Sequence, residues 1–307
     1  MIVIFGSLSI DLVVSVTALP RPGETVLGPG YRAVPGGKGA NQAVAARRAG
    51  AEVRMVGAVG SDGFADGALA MLREAAVDLN QLRKSLQPTG AAFIAVDVKG
   101  ANLIFVASGA NQEARQTDVP DNWLGPGTLI ILQMEVPFAE NWSLVKRARK
   151  AGARILLNCA PAAPVPAHVL AELDWLVVNE TEAVQVARAQ GSTTSDAISA
   201  AQAIAKGGKA TVIVTLGEQG ARAYSPAGPD LSIGSLAVKA IDTTAAGDAF
   251  VGAFAAAMDR GQDLAAALRY GSVAGALTCE VVGAQPSLPL QAAIDSRLPE
   301  LPVAVRL

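Results

Sequence analysis

Histidine is nearly missing from this 307-residue chain, which has one histidine and two cysteines. A zinc site built on several histidines has no ligands here, and a Ser-His-Asp triad would have to use His168. That residue stands in Ala-His-Val-Leu-Ala-Glu-Leu and reads as a bystander on a surface helix turn. Cys159 and Cys279 lie far apart and form no CxxC pair, so a disulfide framework is not expected. Charge of one sign is lacking too: 25 basic residues face 27 acidic ones, for a net charge of −2. No overall field attracts a polyanion, which argues against DNA, RNA and acidic membrane surfaces as partners. No apolar run reaches the roughly 18 residues a membrane span requires. The chain opens on a strand-like run without a basic leader, so the expected compartment is the cytoplasm. There is no GxGxxG for a dinucleotide, no HRD or DFG signature, and no internal repeat or low-complexity tract.

What is present is a long, 51% apolar chain able to bury a core without staples, as one large α/β domain or two. Short apolar runs at 2–5, 53–59, 129–132, 154–158, 175–178 and 211–215 alternate with helical stretches at 41–49, 64–76, 139–151, 180–189 and 195–206. Six strands in one direction with covering helices predict a doubly wound α/β domain, whose ligands bind beyond the carboxyl ends of the strands. Two segments break the rhythm. Residues 11–31, with a turn at 20–23, and residues 91–106, with a turn at Lys99 and Gly100, read as antiparallel hairpins. They predict a small separate sheet with apolar residues on both faces, which covers something or meets a partner chain; a lid over the site is preferred to mere decoration of the core.

Three stretches carry candidate chemistry. In Asp242-Thr243-Thr244-Ala245-Ala246-Gly247-Asp248, small residues precede an apolar helix, so successive N–H groups can face outward at its positive end and hold an anion. Asp248 either caps that helix or takes the proton of an attacking hydroxyl. In Gly36-Gly37-Lys38-Gly39-Ala40-Asn41, glycines permit close approach of a ligand, and Lys38 and Asn41 offer donors; a plain turn into a helix reads equally well. This is not a Walker A loop, because position 32 is Arg and no Ser or Thr follows Lys38. Asn179-Glu180-Thr181-Glu182 follows one strand and Thr215-Leu216-Gly217-Glu218-Gln219-Gly220 the next. The first could touch phosphate and Mg²⁺ or simply cap a helix.

These residues resemble the ribokinase family of carbohydrate kinases, the PfkB superfamily. The likeness runs through GSLSID (6–11), PRPGETV (20–26), GGKGANQAVAA (36–46), SGAN (108–111), NETEA (179–183), TLGEQG (215–220), DTTAAGDAF (242–250) and GAQPS (283–287). The resemblance implies ATP-dependent phosphorylation of a sugar, for ribokinases D-ribose at its 5-hydroxyl, on a three-layer α/β/α fold. That fold carries a β-sheet lid that often forms a dimer interface. The implied division is 1–10, 35–88 and 108–307 for the α/β domain and 11–34 with 89–107 for the lid.

Carried over, Asp248 matches the base, and the backbone of Ala245, Ala246 and Gly247 matches the anion hole. Asp11, Gly37, Lys38, Asn41 and Glu135 match sugar contacts. Asn179 and Glu182 match the phosphate and magnesium element, and Thr215, Gly217 and Gly220 match nucleotide contacts. The resemblance also implies a potassium ion beside the anion hole, held by Asp242 and oxygens of Thr244, Thr278, Val281, Gly283 and Ser287. Two positions depart from the family pattern. Ser9 replaces a usual asparagine expected to bond a ribose hydroxyl, which opens a second reading as a kinase for another furanose or a nucleoside. Gly271 stands where a larger residue is usual beside adenine. A sugar-binding protein without turnover is a third reading, disfavoured by Asp248, the AAGD run and Lys38.

Overall fold

The computed structural model describes residues 1–307. Its first half runs β1 (Ile2–Phe5), β2 (Ser9–Ser15), β3 (Tyr31–Gly36), α1 (Lys38–Arg48), β4 (Val53–Gly60), α2 (Ala65–Glu74), β5 (Asp78–Ser85), β6 (Gly90–Val96) and β7 (Asn102–Ala107). It continues with β8 (Leu129–Leu132), α3 (Phe138–Lys150), β9 (Arg154–Asn158), α4 (Ala167–Leu170), β10 (Trp175–Asn179), α5 (Glu180–Ala189), α6 (Ala197–Gly207) and β11 (Thr211–Thr215). The chain ends with β12 (Ala221–Tyr224), β13 (Leu231–Ile233), α7 (Ala246–Asp259), α8 (Leu264–Thr278), α9 (Gln291–Arg297) and β14 (Val305–Arg306).

Ten strands form one sheet in the order β14-β13-β12-β11-β10-β9-β8-β1-β4-β5. From β5 to β11 every neighbouring pair is parallel, and β12, β13 and β14 add an antiparallel edge. Side chains alternate across each strand, so Ile2 and Ile4 face one apolar layer with α1, α2, α7 and α8 while Val3 and Phe5 face the other. The second layer is closed by α3, α4, α5 and α6. Sheet and two helical layers make the three-layer α/β/α architecture, and burial on both faces explains why β1, β8 and β11 read as uninterrupted apolar runs.

The structure corrects the sequence reading in places. There are seven parallel strands, not six: β5, Asp-Leu-Asn-Gln-Leu-Arg-Lys-Ser, lies at the sheet edge and carries polar residues there, so it shows no apolar run. Helix α1 starts at Lys38 rather than at 41, and the second strand of the first hairpin lies at Tyr31–Gly36, beyond the predicted hairpin end. Both hairpins are antiparallel and join through a parallel pairing of β2 with β6, giving a separate four-stranded sheet in the order β3-β2-β6-β7.

The base of this small sheet is tied to the large one. Leu8, between β1 and β2, has both backbone groups bonded by the side chain of buried Asn111: its N–H donates to Oδ1 at 2.9 Å and its carbonyl accepts from Nδ2 at 2.9 Å. That pairing places Ser9 and Asp11 over the carboxyl end of β1 and gives the SGAN stretch a structural purpose.

Candidate active site

The helix α1 starts where β3 ends, and its first turn passes very close to the loop after β1. A Cβ on Gly39 would stand 2.6 Å from the Ser7 nitrogen and 2.7 Å from the Gly6 carbonyl carbon, and Gly37 adopts φ 89°. The glycines are thus required by the protein's own backbone packing, a different reason from the ligand approach expected of them. The arrangement brings Lys38, Asn41 and Gln42 to the carboxyl ends of the parallel strands.

Across from α1 begins α7. Ala245 takes a left-handed conformation, φ 63°, uncommon for a residue with a Cβ, and turns the chain into the helix. The Ala246 N–H donates to the Thr243 carbonyl at 3.3 Å, while those of Ala245, Gly247 and Asp248 find no acceptor within the chain. The free amides therefore sit at 245, 247 and 248 rather than at 245–247. Asp248 does not cap the helix. Its Oδ2 accepts from Asn41 Nδ2 at 2.9 Å and its Oδ1 from Gln42 Nε2 at 2.9 Å. Burial pushes its carboxyl up, opposed by Lys38 and by the Asn41 and Gln42 donors.

A cavity of about 210 Å³ holds Asp248, Gly247, Ala245, Lys38, Asn179, Glu182 and Thr215. Burial alone would lower Lys38, but the carboxylates of Asp248, Glu135, Glu182 and Asp11 more than offset it and raise its pKa. Glu135 Oε2 accepts from the Ser7 hydroxyl at 2.6 Å and from the Lys38 N–H at 2.9 Å. Asp11 lies on β2 close to Gly36; its Oδ1 accepts from Ser9 Oγ at 3.2 Å, and burial pushes its pKa up to about 6. Asn179 and Glu182 form a reciprocal cap: Asn179 Oδ1 accepts from the Glu182 N–H and Glu182 Oε2 from the Asn179 N–H, each at 2.8 Å. The capping role is real, and both side chains still border the cavity.

Thr215 and Gly247 also border a second cavity, of about 850 Å³, lined by Gly217, Gly220, Phe250, Ser272, Gly275 and Cys279 among others. Gly217 and Gly220 have φ of 55° and 89°. Helical phase corrects one expectation: Gly271 faces Phe250, where a Cβ would come 3.0 Å from its carbonyl oxygen, and Ser272 is the residue lining the cavity, with a buried hydroxyl lacking a partner.

Near the start of α7, Asp242 accepts from the Thr244 N–H at 2.9 Å and the Gly283 N–H at 2.8 Å. Burial raises its carboxyl, but those donors together with Arg32 more than reverse this and hold it low. Val281 N–H donates to the Thr278 carbonyl at 3.3 Å, joining that turn to the end of α8. The hydroxyls of Thr278 and Ser287 donate to the carbonyls of Ala274 and Ala284, keeping their lone pairs as acceptors only. The donors here are one carboxylate and neutral oxygens, a hard set, and no cluster of three or more His, Cys, Asp or Glu is present.

Sequence reading missed Gln42, Gln133 and Asn158, which form a network behind Asp248, and Ser7, which bonds Glu135. Gln42 follows immediately on Asn41, and two carboxamides side by side at the start of an otherwise alanine-rich helix are the available signal.

A buried carboxylate facing a lysine in a small polar cavity, beside free amides at a helix start that a larger cavity adjoins through Gly247, has the parts to deprotonate an alcohol and stabilise a transferring anionic group. The chain belongs to the pfkB family of carbohydrate kinases, whose pattern matches residues 1–291, and it is a phosphotransferase with an alcohol acceptor. It is 36% identical over 294 residues to the ribokinase of Staphylococcus aureus (strain COL), covering 94% of this chain and 96% of that one. The structure of a Thermotoga maritima ribokinase superposes with a TM-score of 0.90 at 32% identity, covering 97% of this chain and 99% of the other. The Arabidopsis thaliana ribokinase, solved in complex with ribose and ATP, gives 0.86 at 30% identity, covering 97% and 98%.

Proposed function

We propose that this chain is an ATP-dependent ribokinase that transfers the γ-phosphoryl group of ATP to the 5-hydroxyl of D-ribose. The observation that carries the reading is the Asp248 carboxylate, held by Asn41 and Gln42 beside the free N–H groups of Gly247 and Asp248 where the two cavities meet. The sugar sits under the small sheet against Ser9, Asp11, Gly37, Lys38, Asn41 and Glu135. The nucleotide occupies the larger cavity along Thr215, Gly217 and Gly220. Asp248 accepts the proton of the primary hydroxyl as its oxygen attacks phosphorus in line. Lys38 and the amides at the start of α7 take up charge on the transferring group, and fixed dipoles do so without reorganisation. Asn179 and Glu182 would hold Mg²⁺ through water, and Asp242 with oxygens of Thr244, Thr278, Val281, Gly283 and Ser287 would hold K⁺. When bound, the two ions supply positive charge to the phosphates and to the anion hole.

The small sheet acts as the lid, comprising 11–34 and 89–107. Its exposed Tyr31, Phe93, Ile104, Phe105 and Val106 support a homodimer formed through it. Two free cysteines and the absence of any helix long and apolar enough to cross a membrane are compatible with a cytoplasmic enzyme.

A second reading, a kinase for a different furanose or a nucleoside, is favoured by Ser9, whose single hydroxyl already donates to Asp11. A panel of ribose, 2-deoxyribose, hexoses and nucleosides with MgATP, with and without K⁺, separates the two. Ribose ranks first by kcat/KM on the leading reading, and a different leader establishes the second. A substrate hydroxyl bond gained or lost at position 9 changes the ranking by about 1–3 kcal/mol.

The pKa of Asp11 adds a pH test. Above about 6 its carboxylate is ionised and accepts sugar hydroxyls; below that it binds a proton and loses an acceptor. KM for the sugar should be nearly flat above pH 7, rise about twofold by pH 6 and about fivefold more between pH 6 and pH 5, a change absent in Asp11→Asn. A wild-type KM that does not respond to pH in this window removes Asp11 from direct sugar binding.

A further inference from the structure

We propose that Gln42 is a positioning residue: its carboxamide, oriented from behind by Gln133, fixes the carboxylate of Asp248 in the reactive orientation and favours its ionised form. The inference rests on the reading of Asp248 as the base. Gln42 and Gln133 are fully buried. Gln42 Nε2 donates to Asp248 Oδ1 and to Asn158 Oδ1, each at 2.9 Å, which uses both of its hydrogens. Its Oε1 accepts from Gln133 Nε2 at 2.7 Å. Asn158 is itself held, since its Nδ2 donates to the Val177 carbonyl at 3.2 Å.

Each amide therefore has one sensible orientation. Turning Gln42 over would aim its oxygen at a carboxylate and its hydrogens at those of Gln133. Room for Gln133 is made by Gly6, where any side chain would collide with the Gln133 amide. Buried carboxamides are costly against apolar residues of similar size, so packing alone gives no reason for two glutamines here. They sit behind Asp248, on α1 and just after β8, and tie both elements to α7.

The charged groups around Asp248 are Lys38 from α1, Glu135 from the loop after β8, Glu182 from α5 and Asp11 from β2. Only Lys38 favours the ionised form, so the Asn41 and Gln42 donors supply the remaining support. Removing a donor to the charged form raises the pKa, and because the ionised base is the active one, the acid limb of the rate profile moves to higher pH.

The experiment is the single-turnover rate of phosphoryl transfer against pH for wild type, Gln42→Leu and Gln133→Met, with thermal unfolding as a control. We expect Gln42→Leu to move the acid limb up by about one pH unit, lowering the rate about tenfold on that limb, with KM for ATP unchanged. Gln133→Met touches neither Asp248 nor substrate, yet should move the limb the same way by a smaller amount. Should Gln42→Leu not fold, the Gln133→Met profile decides alone. An unmoved limb, or a loss confined to the folded fraction, overturns the positioning role. If Asp248→Asn turns over normally, the base reading itself has failed. If Asp248→Asn is inactive while both glutamine variants keep the wild-type limb, only this inference has failed.

Discussion

Asp248→Asn is expected to lower kcat by at least about 10²-fold while the sugar still binds. The substitution keeps the side-chain shape and leaves one oxygen to accept from Asn41 or Gln42, so the loop around 245–248 retains its course. What disappears is the acceptor for the hydroxyl proton. A helix cap would contribute only about 1 kcal/mol of stability and nothing to turnover. The structure already separates the two roles, since both Asp248 oxygens accept from α1 and neither caps α7. Calorimetry of sugar binding beside steady-state kinetics reads both quantities, and near-normal kcat in this variant excludes the base role.

Gly39→Ala is expected to damage stability and turnover together. Its Cβ would meet the Ser7 nitrogen at 2.6 Å, the Gly6 carbonyl carbon at 2.7 Å and the Ser7 oxygen at 2.8 Å, all backbone atoms that cannot swing aside. The start of α1 must then move away from β1. With it go the Lys38 N–H bonded to Glu135, the Gly39 N–H bonded to Ser7 Oγ and the two carboxamides on Asp248. Overpacking of this kind costs about 1–3 kcal/mol, and a displacement of about 1 Å at the base costs on the order of 10² in rate. Thermal unfolding and kcat should fall together. An unchanged melting temperature with unchanged turnover would show that this close approach is not needed.

Legibility in the sequence followed burial. Strands covered on both faces, such as β1, β8 and β11, announce themselves as apolar runs, whereas β5 at the edge and the short β12–β14 ribbon mix polar and apolar residues and pass for loop. The small sheet was legible through its turns, but residues between the Pro-Gly turn and Tyr31 do not announce where the second strand begins. At the site, chemistry carried by a local run, as in GGKGAN and AAGD, could be read directly. The amide network was hidden because Gln42, Gln133, Asn158 and Asp248 come from four separate parts of the chain and meet only through the topology. The error at Gly271 is one of phase: Ser272, Gly275 and Ala276 on α8, with Cys279 at its C-cap, share the cavity-facing stripe, and 271 falls outside it.

The most direct test of the account is ³¹P NMR of the product formed from D-ribose and ATP. A phosphomonoester on the 5-oxygen, formed in step with ADP release, is the predicted result. ADP release that is indifferent to sugar, or phosphate found only free in solution, contradicts it.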